Sequence, residues 1–327
     1  MFLFELVSPQ TIYRLMAAFL IVVCVLTFIS FFGHHVFLEL ATHFRLQYAV
    51  ASLACIVLLS TFYSWKLLPF AFAALVCNLI YILPYYVAAP GNHDGNQDET
   101  AAIHLRLLEA NVLGSNKNYP ALNQAVLEAH ADIVILQELT EEWQKQTEDM
   151  ISHYPFHKVT PRPGGSGMAL FSRYPLEEVR ILNLDSSTHI AILAKVNIDG
   201  TLVSILALHP PTPVRTDKFL NRNRQFSEAA AIFRARKGPG ILIGDLNTTM
   251  WSPYFSDLVR NSGLRDARLG FGLKPSWPMP LPAILQLPID HCLVSAEVSV
   301  QGIGTGRRTG SDHRPLIVDV RVPRAVQ

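Results

Sequence analysis

The first ninety residues carry only five charged side chains, Glu5, Arg14, Glu39, Arg45 and Lys66, and no other feature limits the fold so tightly. Three uncharged stretches lie among them, Leu15 to Leu38, Leu46 to Trp65 and Leu67 to His93. Each reaches the roughly 18 to 20 residues that a helix needs to cross the hydrocarbon core of a bilayer. A helix buried in a soluble protein normally keeps one polar face, and these have none. A cleaved signal peptide would account for the first stretch but not for the two behind it. The expectation is a membrane domain of three transmembrane helices over residues 1–90.

Arg14 and Lys66 fall on one side of such a bundle and Arg45 on the other. An inside N-terminus follows from the bias of basic loops towards the cytoplasm. Three spans then carry the rest of the chain outside. The expected location is the cell inner (plasma) membrane, multi-pass, with an extracytoplasmic domain.

Residues 91–100, GNHDGNQDET, are polar and without hydrophobic period, and are expected to be a linker. The remainder, 101–327, reads as one catalytic domain. Taking Arg14, Arg45 and Lys66 from 27 basic residues and Glu5 and Glu39 from 26 acidic ones leaves 24 of each beyond residue 90. A protein built to grip long duplexes carries a basic excess, because phosphate neutralisation supplies most of its affinity. Cys24, Cys55 and Cys77 lie in the apolar part, so Cys292 has no partner for a disulfide within its own domain.

Strand-like and helix-like segments alternate after residue 101. IHLRLLEANV (103–112) and DIVILQEL (132–139) flank the helical YPALNQAVLEAHA. HIAILAKVNI and TLVSILALH enclose Asp199-Gly200, the pair preferred by a type I′ hairpin turn. A helix over 215–237 leads into GILIGDLN, and IDHCLVS and RPLIVDVRV close the series. The pattern predicts a layered α/β sandwich.

Polar side chains gather where these apolar runs start or stop: Asn111, Glu138, His209, Asp245, Asn247, Asp290, Asp312 and His313. Strand ends are rigid and can hold side chains in fixed geometry around one crevice. Glu138 and Asp312 offer carboxylate oxygens and Asn111 an amide oxygen, which suit magnesium or manganese rather than zinc. His209 and His313 can bind a phosphoryl oxygen or move a proton, and Asp290 can hold an imidazole in one tautomer. Asp245 can orient water and Asn247 can donate to a phosphoryl oxygen. Such a set is equipped to hydrolyse a phosphate ester.

Seven blocks, EANV, LQEL, GMALFSRYPL, LHPPTP, GDLN, IDHCLVS and SDHRPLIVDV, occur in an order that resembles the endonuclease/exonuclease/phosphatase superfamily. That group includes DNase I, AP endonucleases, neutral sphingomyelinases and inositol-polyphosphate phosphatases. The resemblance implies a DNase I-like four-layer α/β sandwich, here preceded by three transmembrane helices, and a magnesium- or manganese-dependent phosphoric ester hydrolase. It assigns Asn111, Glu138 and Asp312 to the metal, pairs His313 with Asp290 at the scissile phosphate, gives Asp245 and Asn247 the nucleophile and phosphate, and gives His209 the phosphate.

Three further residues are candidate substrate contacts, each with a structural alternative. Arg173 follows a strand and would otherwise form an ion pair; Arg222 shares a helix face with Gln225 and would otherwise be solvated. Trp277 belongs to PSWPMPLPAILQLP (275–288), an uncharged, proline-rich segment that would either meet a bilayer, hold an acyl or isoprenoid chain, or cover the sheet as core.

The membrane helices together with the domain resemble a narrower group, the membrane-tethered phosphatases of glycopeptide (teicoplanin) resistance in bacteria. This implies a lipid-linked phosphate or pyrophosphate as substrate and the bilayer as partner. The alternatives are a DNase-like nuclease acting on nucleic acid and a non-catalytic membrane scaffold.

Overall fold

The computed structural model describes residues 8–61, 65–87, 102–184 and 188–324. The expected linker at 91–100 lies outside the described residues. Two compact units emerge, Met1–Pro84 with Trp251–Pro253, and Tyr85–Met250 with Tyr254–Gln327.

The first unit contains helices α1 (Pro9–Ile29), α2 (Val36–Thr42), α3 (Arg45–Thr61) and α4 (Leu68–Ile82). Ser8 caps α1 by accepting the Thr11 amide at 3.2 Å, and Pro9 takes the first helical position, where its missing N–H costs nothing. Two segments, Gln10–Phe32 and Trp65–Tyr85, are long and apolar enough to cross a membrane; α2 and α3 make a third only if the pair, bent by 57°, counts as one span.

The first uncharged stretch therefore does not run as one helix to Leu38. Hydrophobicity says nothing about where a helix turns, and the chain leaves it around Gly33 and restarts at Val36. Arg45, expected in a loop, is buried at the start of α3. Its guanidinium lies 4.0 Å from the Tyr81 ring and 4.8 Å from that of Phe31, and donates to the Ser30 carbonyl at 3.2 Å. Such aromatic and carbonyl partners make a buried charge tolerable.

The second unit is a four-layer α/β sandwich. Its elements are β1 (Ala102–Asn111), α5 (Tyr119–Ala129), β2 (Ile133–Gln137), α6 (Glu141–Gln146), α7 (Glu148–Ile151), β3 (Phe156–Thr160), β4 (Met168–Ser172), β5 (Leu176–Leu182), β6 (Ala191–Ile198), β7 (Thr201–Leu208), α8 (Thr216–Ala235), β8 (Gly240–Asp245), α9 (Pro253–Ser262), β9 (Arg265–Asp266), β10 (Asp290–Val294), β11 (Ser299–Thr305) and β12 (Leu316–Pro323). One six-stranded sheet has the order β11-β12-β1-β2-β4-β3 and the other β5-β6-β7-β8-β10-β9.

Side-chain alternation sorts the residues between layers. Leu105, Leu107, Ile133 and Ile135 of the first sheet meet Ile205, Ile241, Ile243 and Cys292 of the second in the central core. Leu108, Ala110, Val134 and Leu136 face the other way, onto Leu122, Val126 and Trp143 of α5 and α6. Each aliphatic side chain so buried contributes about 1.5–3 kcal/mol, which fixes the register of the sheets against a one-residue slip. The Asp199-Gly200 hairpin forms as its sequence predicts: Ile198 pairs with Thr201, and both turn residues have positive φ, 50° and 86°.

Candidate active site

The polar strand ends named above converge in the second unit, at one end of the two central sheets. Asp245 is the hub. It ends β8 directly opposite Asp290 at the start of β10, and parity turns both side chains inward, like Ile243 and Cys292. Asp245 Oδ2 accepts from Asn111 Nδ2 at 3.1 Å and lies 3.5 Å from His209 Nε2 and 3.7 Å from His313 Nε2. Its Oδ1 accepts the Asn247 amide at 2.8 Å.

His313 is buried, with Nδ1 3.1 and 3.0 Å from the two Asp290 oxygens. Burial opposes its charge, but Asp290 first and Asp245 next outweigh that and push it up to about 10. Asp245 shifts the opposite way: burial favours its neutral form, yet His313 and the bond from His209 hold it below the ordinary carboxylate range.

Glu138 and Asn247 adopt left-handed backbone conformations, φ 60° and 51°, uncommon for residues with side chains and often found where a site dictates geometry. Glu138 Oε1 accepts from Asn111 Nδ2 at 3.0 Å and Oε2 from the Gly114 amide at 3.1 Å. Asn111 Oδ1 accepts the Leu113 amide at 3.0 Å, so this side chain turns its N–H side to the carboxylates. Asp312 accepts from Trp277 Nε1 at 3.0 Å, and the Trp277 ring stands 6.4 Å from that of His313. The Ser311 hydroxyl ties the segment to β1 by donating to the Asn111 carbonyl at 2.7 Å.

The donors are carboxylate oxygens, an amide and imidazoles, with no thiolate among them, which fits a hard divalent cation. Among the described residues, Asp245, Asp290 and His313 bring ligand atoms within 4.8 Å of one another. His313 spends its Nδ1 on Asp290, whereas Glu138 and Asp312 retain lone pairs for an ion. Asn111 would join them only with its oxygen turned inward.

The two arginines suggested as substrate contacts occupy other positions. Arg222 is fully buried among Phe219, Phe226 and Tyr254, and its Nη1 donates to the Asn247 carbonyl at 3.4 Å. It thus supports the Asp245–Asn247 turn from behind, because the apolar side chains of α8 turn its face towards the sheet. Gln225 is buried with it. Arg173 lies 3.7 Å from Asp132 and over the Tyr154 ring, its structural alternative.

Two residues escaped sequence reading. Gln137, fully buried, crosses between the sheets: its Oε1 accepts the Asp245 amide at 2.9 Å and its Nε2 donates to the Leu208 carbonyl at 3.1 Å. Gly244 makes the crossing feasible, since a Cβ there would stand 2.2 Å from Gln137 Nε2. Glu109 is buried on the same face as Asn111, and neither of its oxygens has a hydrogen-bond partner among the described residues. Burial, then Asp290 and Asp245, push it well above the ordinary carboxylate range. The signal was present in both cases: a polar residue in register with the apolar residues two and four positions earlier.

A family model, the Endonuclease/Exonuclease/phosphatase family, matches residues 108–313. The chain belongs to this family. Its members are phosphoester hydrolases, generally dependent on a divalent metal. Solved structures of like fold include D. rerio TDP2 complexed with single-strand DNA product (17% identity, TM-score 0.57, 66% of this chain and 98% of that one). Sphingomyelinase C from Streptomyces griseocarneus is another (16%, 0.52, 66% and 99%), as is the endonuclease/exonuclease/phosphatase from Bacteroides vulgatus (18%, 0.55, 67% and 98%). At these identities the likeness is one of fold. No curated protein matches the chain.

Proposed function

We propose that the protein is a membrane-anchored, magnesium- or manganese-dependent phosphoesterase that hydrolyses a phosphate ester or pyrophosphate of a lipid-linked substrate. The single observation that carries the lipid assignment is the segment 275–288. Its stem is tied to the site through Trp277 and through the Met279 amide, which donates to the Asp312 carbonyl at 2.7 Å. Its tip leaves Leu281, Ile284 and Leu285 exposed, at 42%, 45% and 51%. Exposed apolar side chains on the flank of a polar site suit the tail of an amphipathic substrate. The apolar helices of the first unit and the absence of a basic excess support the same reading.

In this reading Glu138 and Asp312, with Asn111 beside them, would hold a divalent cation, which would supply positive charge to offset that of the phosphoryl group. Asp245, ionised and accepting from Asn111 and Asn247, orients the attacking water. His313, kept protonated by Asp290, and His209 donate to phosphoryl oxygens as negative charge develops. Asn247 offers its side chain at the same turn, where Nδ2 now donates to the Pro210 carbonyl at 3.0 Å. The catalytic unit would lie outside the cytoplasm, on the plasma membrane.

The test is a substrate comparison. The purified full chain with magnesium is offered plasmid DNA, phospholipid vesicles and vesicles carrying an isoprenoid pyrophosphate. Turnover of a lipid phosphate, with little nicking of DNA, is expected. The reverse would make the protein a nuclease, and no turnover of any of them in the folded chain would leave it a scaffold.

A further inference from the structure

On the outer face of the second sheet, away from the first, two buried side chains connect strand ends that the chemistry requires to stay in register. Asp290 and His291 are consecutive in β10, so their side chains leave by opposite faces. Asp290 turns inward to His313. His291 turns outward, its ring 4.5 Å from that of Phe255.

Arg268, fully buried just after β9, meets both residues. Its Nη2 donates to the Asp290 carbonyl, its Nη1 lies 2.8 Å from His291 Nδ1, and Asp266 is 3.8 Å away as counter-charge. A guanidinium has only donors, so His291 Nδ1 must be the acceptor and carries no proton. The ring proton therefore sits on Nε2, which is 2.8 Å from the Thr248 carbonyl and donates to it. Burial, and then the neighbouring guanidinium, hold His291 well below the ordinary histidine range, in keeping with a neutral ring.

Thr248 follows Asn247 in the turn that Asp245 begins. The directed path Arg268 to His291 to Thr248 thus joins this turn to β10, while the second arm of Arg268 grips Asp290 itself. The β8–β10 ladder reaches only the bond from the Leu246 amide to the Ile289 carbonyl, and the Thr248 bond acts beyond it.

We propose that Arg268 and His291 form a positioning pair that sets the separation between Asp290 and the Asp245–Asn247 turn. Neither residue touches substrate. The pair acts through Asp290, and so through His313, and through the main chain of the turn. The proposal rests on the hydrolase reading above for its kinetic consequence, though not for its geometry.

Two substitutions separate positioning from mere stability. His291→Phe keeps a ring against Phe255 and removes both hydrogen bonds. Arg268→Lys keeps a cation near the Asp290 carbonyl but cannot span both partners. With magnesium and bis(4-nitrophenyl) phosphate, kcat per folded molecule should fall about 10- to 100-fold in His291→Phe, with KM within about twofold. Arg268→Lys should lie between this and the parent, and the double variant should lose little more than the worse single one.

Histidine ring ¹⁵N spectra of the full chain in micelles give a readout without turnover. The parent should show His291 as the neutral Nε2–H tautomer, and either substitution should displace the His313 resonances. Lowered stability with unchanged kcat per folded molecule, an Nδ1–H or charged His291, or unmoved His313 resonances would overturn the proposal. If the parent hydrolyses no phosphoester, the functional reading fails and the spectra still decide the pair.

Discussion

Asp245 and Asp290 stand directly opposite each other on neighbouring antiparallel strands, and both carboxylates face His313. Like charges at directly opposed positions destabilise a sheet unless a cation lies between them. His313 supplies that cation, and the arrangement explains why one imidazole is held protonated while Asp245 stays ionised.

The pair should therefore act as a unit. His313→Gln is expected to lose on the order of a thousandfold in kcat, the loss typical when a group stabilising transition-state charge is removed. Asp290→Asn should cost a comparable factor, and the double variant far less than their product. Steady-state kinetics on all three decide it; simple multiplication of the losses would mean that Asp290 serves another purpose.

Stability should depend on pH through the same residue. The pKa of His313 is raised from 6.5 to about 10 on folding. Its stabilising contribution is thus complete below about pH 6.5 and disappears as pH rises through 10. Urea midpoints of the chelator-treated protein across this window, compared with His313→Gln, should converge at the alkaline end. Parallel curves would contradict the assignment.

Hydrolysis should need magnesium or manganese. Excess chelator is expected to abolish it and either ion to restore it, and Glu138→Ala should remain folded by circular dichroism without turnover. Activity that survives the chelator would remove the metal from the scheme.

Trp277→Phe keeps an aromatic ring but deletes the donor to Asp312. Loss of such an outer partner typically weakens metal affinity by about 10- to 100-fold. The magnesium concentration giving half-maximal rate should rise accordingly while kcat at saturation changes little. An unchanged magnesium requirement would argue that Asp312 is not a ligand.

An alkaline phosphatase fused after Gln327 should be active in cells and a fluorescent protein at the same point dark, because an inside N-terminus with three spans, the proposed topology, would export the catalytic unit. Bright fluorescence would reverse the orientation.

Much of this architecture could be read from local pattern. Alternation located β1, β2, β8, β10 and β12, and the Asp199-Gly200 pair located the β6–β7 hairpin, because side-chain period and turn chemistry act over a few residues. The polar residues interrupting those runs pointed to Asn111, Glu138, His209, Asp245, Asn247, Asp290, Asp312 and His313. What local pattern could not supply was which strand lies beside which. The facing of Asp245 and Asp290, the crossing of Gln137 between sheets, the burial of Arg222 and the link from Arg268 through His291 to Thr248 all join residues distant in sequence. Their contacts depend on sheet order and register, set by the collective burial of two apolar faces. A histidine is the same letter whether a carboxylate or a guanidinium lies against it, and only the packed sandwich makes His313 a cation and His291 neutral.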